Sequence, residues 1–254
     1  MKIVVIGGSG RIGEKLVRNL RRQDFGVLEA SPSFGVDAVT GEGLERAMNG
    51  AEVVVDVSNP PSLEGEAAMR FFGAAGQRLA EDGRRAGVRH HVLLSVVGTD
   101  RLLASGYFRA KQVQEDLART SGIRFSILRA TQFFEFIAGV VQDGSAREVA
   151  IAPAQVQPIS ARNVADALAD LATGDPLNGL VEVAGPERFR LPDLASEVLT
   201  AYEDLRPVVA DPRATYFGAT LGDASLLPDA DALIGRLRFE DWLRDSLQPD
   251  SPSD

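Results

Sequence analysis

Four short runs of mostly apolar, β-rich residues constrain this chain more than any other feature: Ile3 to Ile6, Val53 to Val57, His91 to Val97 and Phe125 to Leu128. A strand that is apolar at successive positions buries both of its faces, as strands of a parallel sheet do. Between the runs lie Arg11 to Gln23, Leu63 to Ala86 and Gly106 to Ser121, each with helical spacing of its apolar residues. Phe25 to Ala30 reads as a further strand, and Val36 to Val39 as a short one. This strand–helix alternation predicts an α/β doubly wound parallel sheet with right-handed crossovers.

The second half is broken by prolines, with helices expected at Ala161 to Ala172, Pro192 to Tyr202 and Phe239 to Leu247, and a strand at Leu180 to Ala184. We expect the doubly wound core to span residues 1–155, with a smaller region packed on it over 156–248. The Pro/Ser/Asp-rich end reads as a loose tail over 249–254.

The first turn is the most informative motif. Gly7-Gly8-Ser9-Gly10-Arg11-Ile12-Gly13 follows a strand and opens a helix, with glycines at 7, 10 and 13. Backbone can approach a pyrophosphate closely only where no Cβ intervenes, and the helix N-terminus supplies free N–H groups and a positive dipole end. Gly13 lets the helix pack close to the sheet. Gly7, Ser9, Gly10, Arg11, Ile12 and Gly13 are therefore expected at a dinucleotide. Glu29 falls in the body of the second strand, so its tip is Ala30 or Ser31. Without a carboxylate there, Ser31, Ser33 and Arg11 are candidates for a 2′-phosphate, which predicts NADP(H) ahead of NAD(H). Asn59, just past the third strand, is a further cofactor candidate, although Ser58-Asn59-Pro60-Pro61 equally suits a proline-stiffened turn.

Tyr107 and Lys111 are at i and i+4 of a helix and share one face. An ammonium beside a phenol favours the phenolate and lowers its pKa, and can also hold a nicotinamide ribose. With 27 Lys and Arg, of which only Lys2, Lys15 and Lys111 are lysines, a lysine at this spot stands out. Ser95, at the end of the preceding strand, is the candidate for orienting a substrate carbonyl, with Thr99 as the alternative. Together Tyr107, Lys111 and Ser95 suit hydride transfer, with Tyr107 giving a proton to oxygen. Gln132, Phe133 and Phe136 follow the Phe125 strand, at whose carboxyl end a ligand crevice is expected, and would line a pocket for a flat or apolar molecule.

These segments, with Leu94-Ser95-Val96-Val97-Gly98, Leu128 to Phe134 and Val183 to Glu187, resemble short-chain dehydrogenase/reductases of the atypical, NmrA-like type over nearly the whole chain. The resemblance implies a Rossmann core and NAD(P)H binding. Its members include carbonyl and quinone reductases and also regulatory dinucleotide sensors that have lost the tyrosine. Tyr107 and Lys111 thus point to an NAD(P)H-dependent reductase of a small carbonyl or quinone. A redox sensor, or an epimerase, dehydratase or cyclase using the same site, are the alternatives.

Composition mainly subtracts. Cysteine is absent, which removes thiolate chemistry and disulfides. The net charge of −9 argues against nucleic acid and anionic membrane partners. His90 and His91, the two histidines, are adjacent and would point to opposite faces of a strand, so no metal site is expected. No apolar run approaches the ~18–20 residues of a membrane span. With a strand starting at residue 2, no signal peptide is expected, and a soluble cytoplasmic protein, as monomer or homodimer, is the expectation.

Overall fold

The computed structural model of the chain describes residues 1–142 and 147–248. The first half alternates β1 (Lys2–Ile6), α1 (Arg11–Arg22), β2 (Gly26–Ala30), α2 (Leu44–Met48), β3 (Val53–Asp56), α3 (Gly65–Ala86), β4 (His90–Val96), α4 (Gly106–Thr120) and β5 (Phe125–Ala130). The second half follows with α5 (Phe134–Gln142), β6 (Val149–Ile151), β7 (Gln155–Val156), α6 (Ala161–Thr173), β8 (Gly179–Ala184), β9 (Phe189–Arg190) and α7 (Leu191–Ala201). It ends with β10 (Val208–Ala210), β11 (Thr215–Tyr216), β12 (Ala219–Thr220), β13 (Leu233–Ile234) and α8 (Phe239–Ser246). The tail expected over 249–254 lies outside the described residues.

Seven strands form one parallel sheet in the order β13-β8-β5-β4-β3-β1-β2. Strand β1 shows why its run is continuously apolar. Ile3 and Val5 join the core under α1 and α6, whereas Val4 and Ile6 join the core under α2 and α3. The chain runs from β1 out to β2, then returns to the other side for β3, β4 and β5. That reversal leaves a crevice beyond the carboxyl ends of β1 and β3, where ligands of open α/β sheets bind.

The second half is woven into the core. Strands β8 and β13 extend the sheet, and α6 packs its Val164, Ala165 and Leu168 against the face shared with α1. The remaining elements form a roof in which Phe134, Leu194, Val198 and Phe239 share one apolar cluster with Phe72, Tyr107 and Phe108.

One expectation needs correction. Val36 to Val39 is not a strand. The Asp37 carboxylate accepts the Val39 and Thr40 N–H groups at 2.7 and 3.2 Å, a side-chain-to-backbone bond that competes with strand pairing. Phe134 to Gln142, for which no element was expected, is the helix α5.

Candidate active site

A cleft of about 660 Å³ opens at the switch point. That volume is in the ordinary range for a small-molecule site. Its walls include Gly7, Ser9, Gly10, Arg11, Ile12, Ser31, Asn59, Ser95, Tyr107, Lys111, Gln132, Phe133 and Phe136. Two expected residues do not line it: Gly13 and Ser33.

The glycine turn is a backbone device. Gly7 has φ of 80°, and a Cβ there would stand 2.9 Å from the Ser58 backbone. At Gly13 a Cβ would fall 2.2 Å from the Gly7 carbonyl, so α1 lies against the turn only because Gly13 lacks a side chain. Gly7 and Gly8 donate their N–H groups to the Ala30 carbonyl at 2.9 and 3.2 Å, tying the turn to β2. No side chain caps α1, so the first N–H groups of the helix face the cleft without a side-chain acceptor. These features fit a pyrophosphate.

At the tip of β2, Ser31 is buried and shares a 2.8 Å hydrogen bond with Ser33, through which Ser33 reaches the site. Glu29 points elsewhere: its carboxylate is 3.7 Å from Arg21, and it does not line the cleft. The strand register read from the sequence is thus the observed one. The sequence reading missed Glu135, whose carboxylate receives the Ala161 N–H at 3.3 Å beside the cradle. Burial raises its pKa against the pull of that N–H and of the Lys15 and Arg11 charges.

Lys111 and Tyr107 both reach the cleft, but not as a coupled pair. The Lys111 ammonium donates to the Leu94 carbonyl at 2.9 Å and to Gln114 Oε1 at 2.5 Å, and lies 4.6 Å from the centre of the Phe72 ring. Gln114 donates in turn to Asp56 at 2.8 Å. Burial lowers the Lys111 pKa to about 8, although Asp56 and Glu115 pull it upward. Two of its three N–H groups are thus used within the protein. The Tyr107 hydroxyl donates to Asn59 Oδ1 at 3.0 Å, and burial raises its pKa. The expected lowering by Lys111 is therefore corrected: desolvation dominates, and the phenol holds its proton. Asn59 is more than a turn residue, since it anchors that phenol.

Ser95 lines the cleft, but its hydroxyl proton is committed to Glu115 at 2.6 Å. Glu115 is fully buried and also receives two hydrogen bonds from Arg129, at 2.8 and 2.9 Å. Despite the upward push of burial, the hydrogen bonds of Arg129 and Ser95 hold the Glu115 carboxyl below its usual range. Ser95 can accept a bond from a ligand but has no proton left to offer a carbonyl. Thr99, the alternative, donates to the Val96 carbonyl at 2.7 Å and is not part of the wall.

No family model matches the chain. Among curated proteins, it is 25% identical over 237 residues to the chloroplastic divinyl chlorophyllide a 8-vinyl-reductase of Cucumis sativus, covering 78% of this chain and 56% of that one. It is 27% identical over 205 residues to a (4-alkanoyl-5-oxo-2,5-dihydrofuran-3-yl)methyl phosphate reductase of Streptomyces griseus, covering 73% and 68%. A photosystem II assembly factor of Cyanophora paradoxa matches at 23% over 153 residues, 55% of this chain and 48% of that one. The aligned stretch thus spans about half the length of the first two curated relatives, counting the assembly factor and the vinyl-reductase.

Among solved structures, a dTDP-4-dehydrorhamnose reductase ortholog from Clostridium acetobutylicum superposes with a TM-score of 0.74 at 14% identity, covering 97% of this chain and 99% of that one. A short-chain dehydrogenase/reductase superfamily protein from Agrobacterium tumefaciens with bound NAD gives 0.70 at 15%, covering 97% and 96%. A dTDP-4-dehydrorhamnose reductase from Bacillus anthracis in complex with NADP gives 0.66 at 12%, covering 96% and 92%.

The fold is that of the short-chain dehydrogenase/reductases.

Within this short-chain dehydrogenase/reductase fold, the far end of the cleft holds residues the sequence reading did not select: Phe71, Phe108, Tyr216 and Phe217. Phe217 stacks on Tyr107 with ring centres 5.1 Å apart, and on Phe136 at 5.8 Å. Gln132 is buried, with neither amide atom in a hydrogen bond. It lies beside Tyr216, whose pKa is raised by burial and by the nearby Tyr107. The tyrosine and phenylalanine of the β11–β12 hairpin left one signal in the sequence, the Phe217-Gly218 pair of a tight turn. Among the described residues no cluster of three or more His, Asp or Glu side chains is placed to hold a metal, and no helix is long and apolar enough to cross a membrane.

Proposed function

We propose that the chain is an NAD(P)H-dependent reductase, with NADPH preferred, that reduces a small carbonyl or quinone. The observation that carries this reading is the meeting, in one cleft, of a Cβ-free phosphate cradle with a buried tyrosine and lysine on one face of α4. The bound dinucleotide would supply a hydride. Gly7, Gly10 and the first turn of α1 would hold its pyrophosphate, Ser31 and Arg11 a 2′-phosphate, and Lys111 the nicotinamide ribose through its remaining N–H. Tyr107 would release its hydrogen bond to Asn59 and donate that proton to the substrate oxygen, so that with the hydride a carbonyl would become CH–OH, or a quinone the hydroquinone, and NAD(P)H would become NAD(P)⁺. A raised pKa keeps this phenol protonated at neutral pH, which suits a donor to a developing alkoxide.

The test is consumption of NADPH and NADH by the purified protein on a panel of quinones, aldehydes and ketones. Turnover that Tyr107→Phe abolishes supports the reading, and turnover unaffected by that change removes Tyr107 from it. The Phe217 ring stacked on Tyr107 favours a second reading, a dinucleotide sensor. It predicts NADP binding with no turnover anywhere on the panel.

A further inference from the structure

Asp56 is the last residue of β3. It is buried, and it does not line the cleft. A carboxylate taken out of water is costly unless a cation or hydrogen bonds offset the loss. The donors on Asp56 are all neutral. Its Oδ1 accepts the Ser58 N–H at 3.0 Å and the Ser58 hydroxyl at 2.6 Å, and its Oδ2 accepts the Gln114 side-chain N–H at 2.8 Å. His91, on β4, feels the Asp56 charge, but burial holds its pKa below the ordinary histidine value and leaves it neutral at neutral pH.

The cation stands one amide further on. Gln114 turns its Nε2 to Asp56 and its Oε1 to the Lys111 ammonium. Chemistry fixes that order. A carboxylate only accepts and an ammonium only donates, so the amide between them satisfies both in one orientation. The Leu94 carbonyl takes a second Lys111 N–H, and the third is left for the cleft that Lys111 lines. Around the ammonium, β3 contributes Asp56, α4 contributes Glu115, and α3 presents the Phe72 ring. The Ser58 bonds brace the carboxylate from its other side, in the turn whose Asn59 receives the Tyr107 hydroxyl.

We propose that Asp56 is a positioning residue: through the Gln114 amide it holds the Lys111 ammonium in place at the cleft wall. This rests on the reductase reading for what Lys111 does there, and adds the buried group that governs it.

The test exploits the scarcity of lysine. With Lys2, Lys15 and Lys111 the only lysines, ¹³C-lysine labelling of the full chain gives a spectrum in which Lys111 is assigned by its loss in Lys111→Met. In the wild type its Cε signal should titrate with a midpoint of about 8. Asp56→Asn keeps the shape, can still accept from Ser58, removes the charge and turns a donor toward Gln114. The midpoint should fall by about one pH unit, and NADPH should bind about fivefold more weakly at neutral pH, the scale of one charge-assisted hydrogen bond. Asp56→Asn combined with Gln114→Glu restores the order of donors and acceptors with the negative charge moved one residue along the chain. Its Lys111 midpoint should rise above the wild-type value, and NADPH affinity should return to within about twofold of wild type. A residue that merely filled the core would be harmed further by the second change. A midpoint unmoved in Asp56→Asn overturns the inference, as does a double variant that binds NADPH no better than Asp56→Asn. Should Asp56→Asn fail to fold, the double variant decides alone, and weak NADPH binding there sinks the inference. If the wild type binds neither NADPH nor NADH, the reductase reading fails, while the midpoints still show whether Asp56 governs Lys111.

Discussion

The two ends of the cleft are built by different means. The end proposed to hold the cofactor is backbone: a glycine-rich turn, tied to the Ala30 carbonyl and opening on an uncapped helix, all within residues 6–31. The end proposed for the substrate is side chains: Phe71, Tyr107, Gln132, Phe136, Tyr216 and Phe217, drawn from elements far apart in the chain. A backbone site recognises what all dinucleotides share and tolerates little change. A side-chain site can be rebuilt by substitution, and it is where proteins of one fold diverge in chemistry.

The sharpest way to break this contrast is at Gly13. A valine there would drive its Cβ toward the Gly7 carbonyl, 2.2 Å from the ideal Cβ position, and open the turn. Loss of two charge-assisted phosphate bonds, about 3 kcal/mol or more, is on the order of a hundredfold in Kd. Fluorescence titration of Gly13→Val with NADPH should therefore show a Kd raised on the order of a hundredfold. Retained affinity would mean that the turn does not hold the pyrophosphate. Circular dichroism distinguishes loss of the site from loss of the fold.

At the other end the largest effect belongs to Tyr107. Tyr107→Phe removes one hydroxyl and keeps the ring against Phe72, Phe108 and Phe217. General acid catalysis contributes about 10²–10⁴-fold, so kcat should fall by that order while the Kd for NADPH stays within about twofold, as no proposed cofactor contact is lost. A parallel fall in cofactor affinity would instead place Tyr107 at the dinucleotide.

How much of this was legible in the sequence follows the same division. The β1 run, the glycine turn and the register that puts Ser31 at the tip of β2 are local, and each was readable because a few consecutive residues carry the whole physical reason. Val36 to Val39 misled because the β-branched ends looked like a strand, whereas the Asp37 carboxylate between them turns the chain. Ser95 was placed correctly at its strand end, but nothing local says that its hydroxyl meets Glu115, twenty residues on, in a buried pair with Arg129. Phe217 was beyond reach, since its meaning depends on a contact with Tyr107 across more than a hundred residues.

A smaller effect tests the cofactor preference. Ser31→Asp would place a carboxylate at the tip of β2, to accept a ribose 2′-hydroxyl and repel a 2′-phosphate. The ratio of NADPH to NADH affinity should fall about tenfold, a change of roughly 1.4 kcal/mol. An unchanged ratio would show that the 2′ position is read elsewhere, with Arg11 the next residue to vary.

The smallest expected effect lies at Lys111, where the two ends meet. Its folded pKa of about 8 is below the ordinary lysine value of 10.5, because burial disfavours the charge more than Asp56 and Glu115 restore it. Below pH 8 the ammonium is present and can donate to the ribose. As pH rises through 8 the charge leaves, and NADPH affinity should weaken a few-fold, by about 1 kcal/mol for a hydrogen bond that loses its charge. Stability moves the other way. Between pH 8 and 10.5 the unfolded chain keeps a proton that the folded one has released, so the Lys111 contribution to folding becomes more favourable with rising pH. Affinity and melting temperature measured from pH 7 to 10 should thus diverge in the wild type. In Lys111→Met, which removes the titration from both, the part of each slope due to this residue should vanish. Identical slopes in the two proteins would remove Lys111 from the cofactor site and leave it a purely structural cation between Leu94 and Gln114.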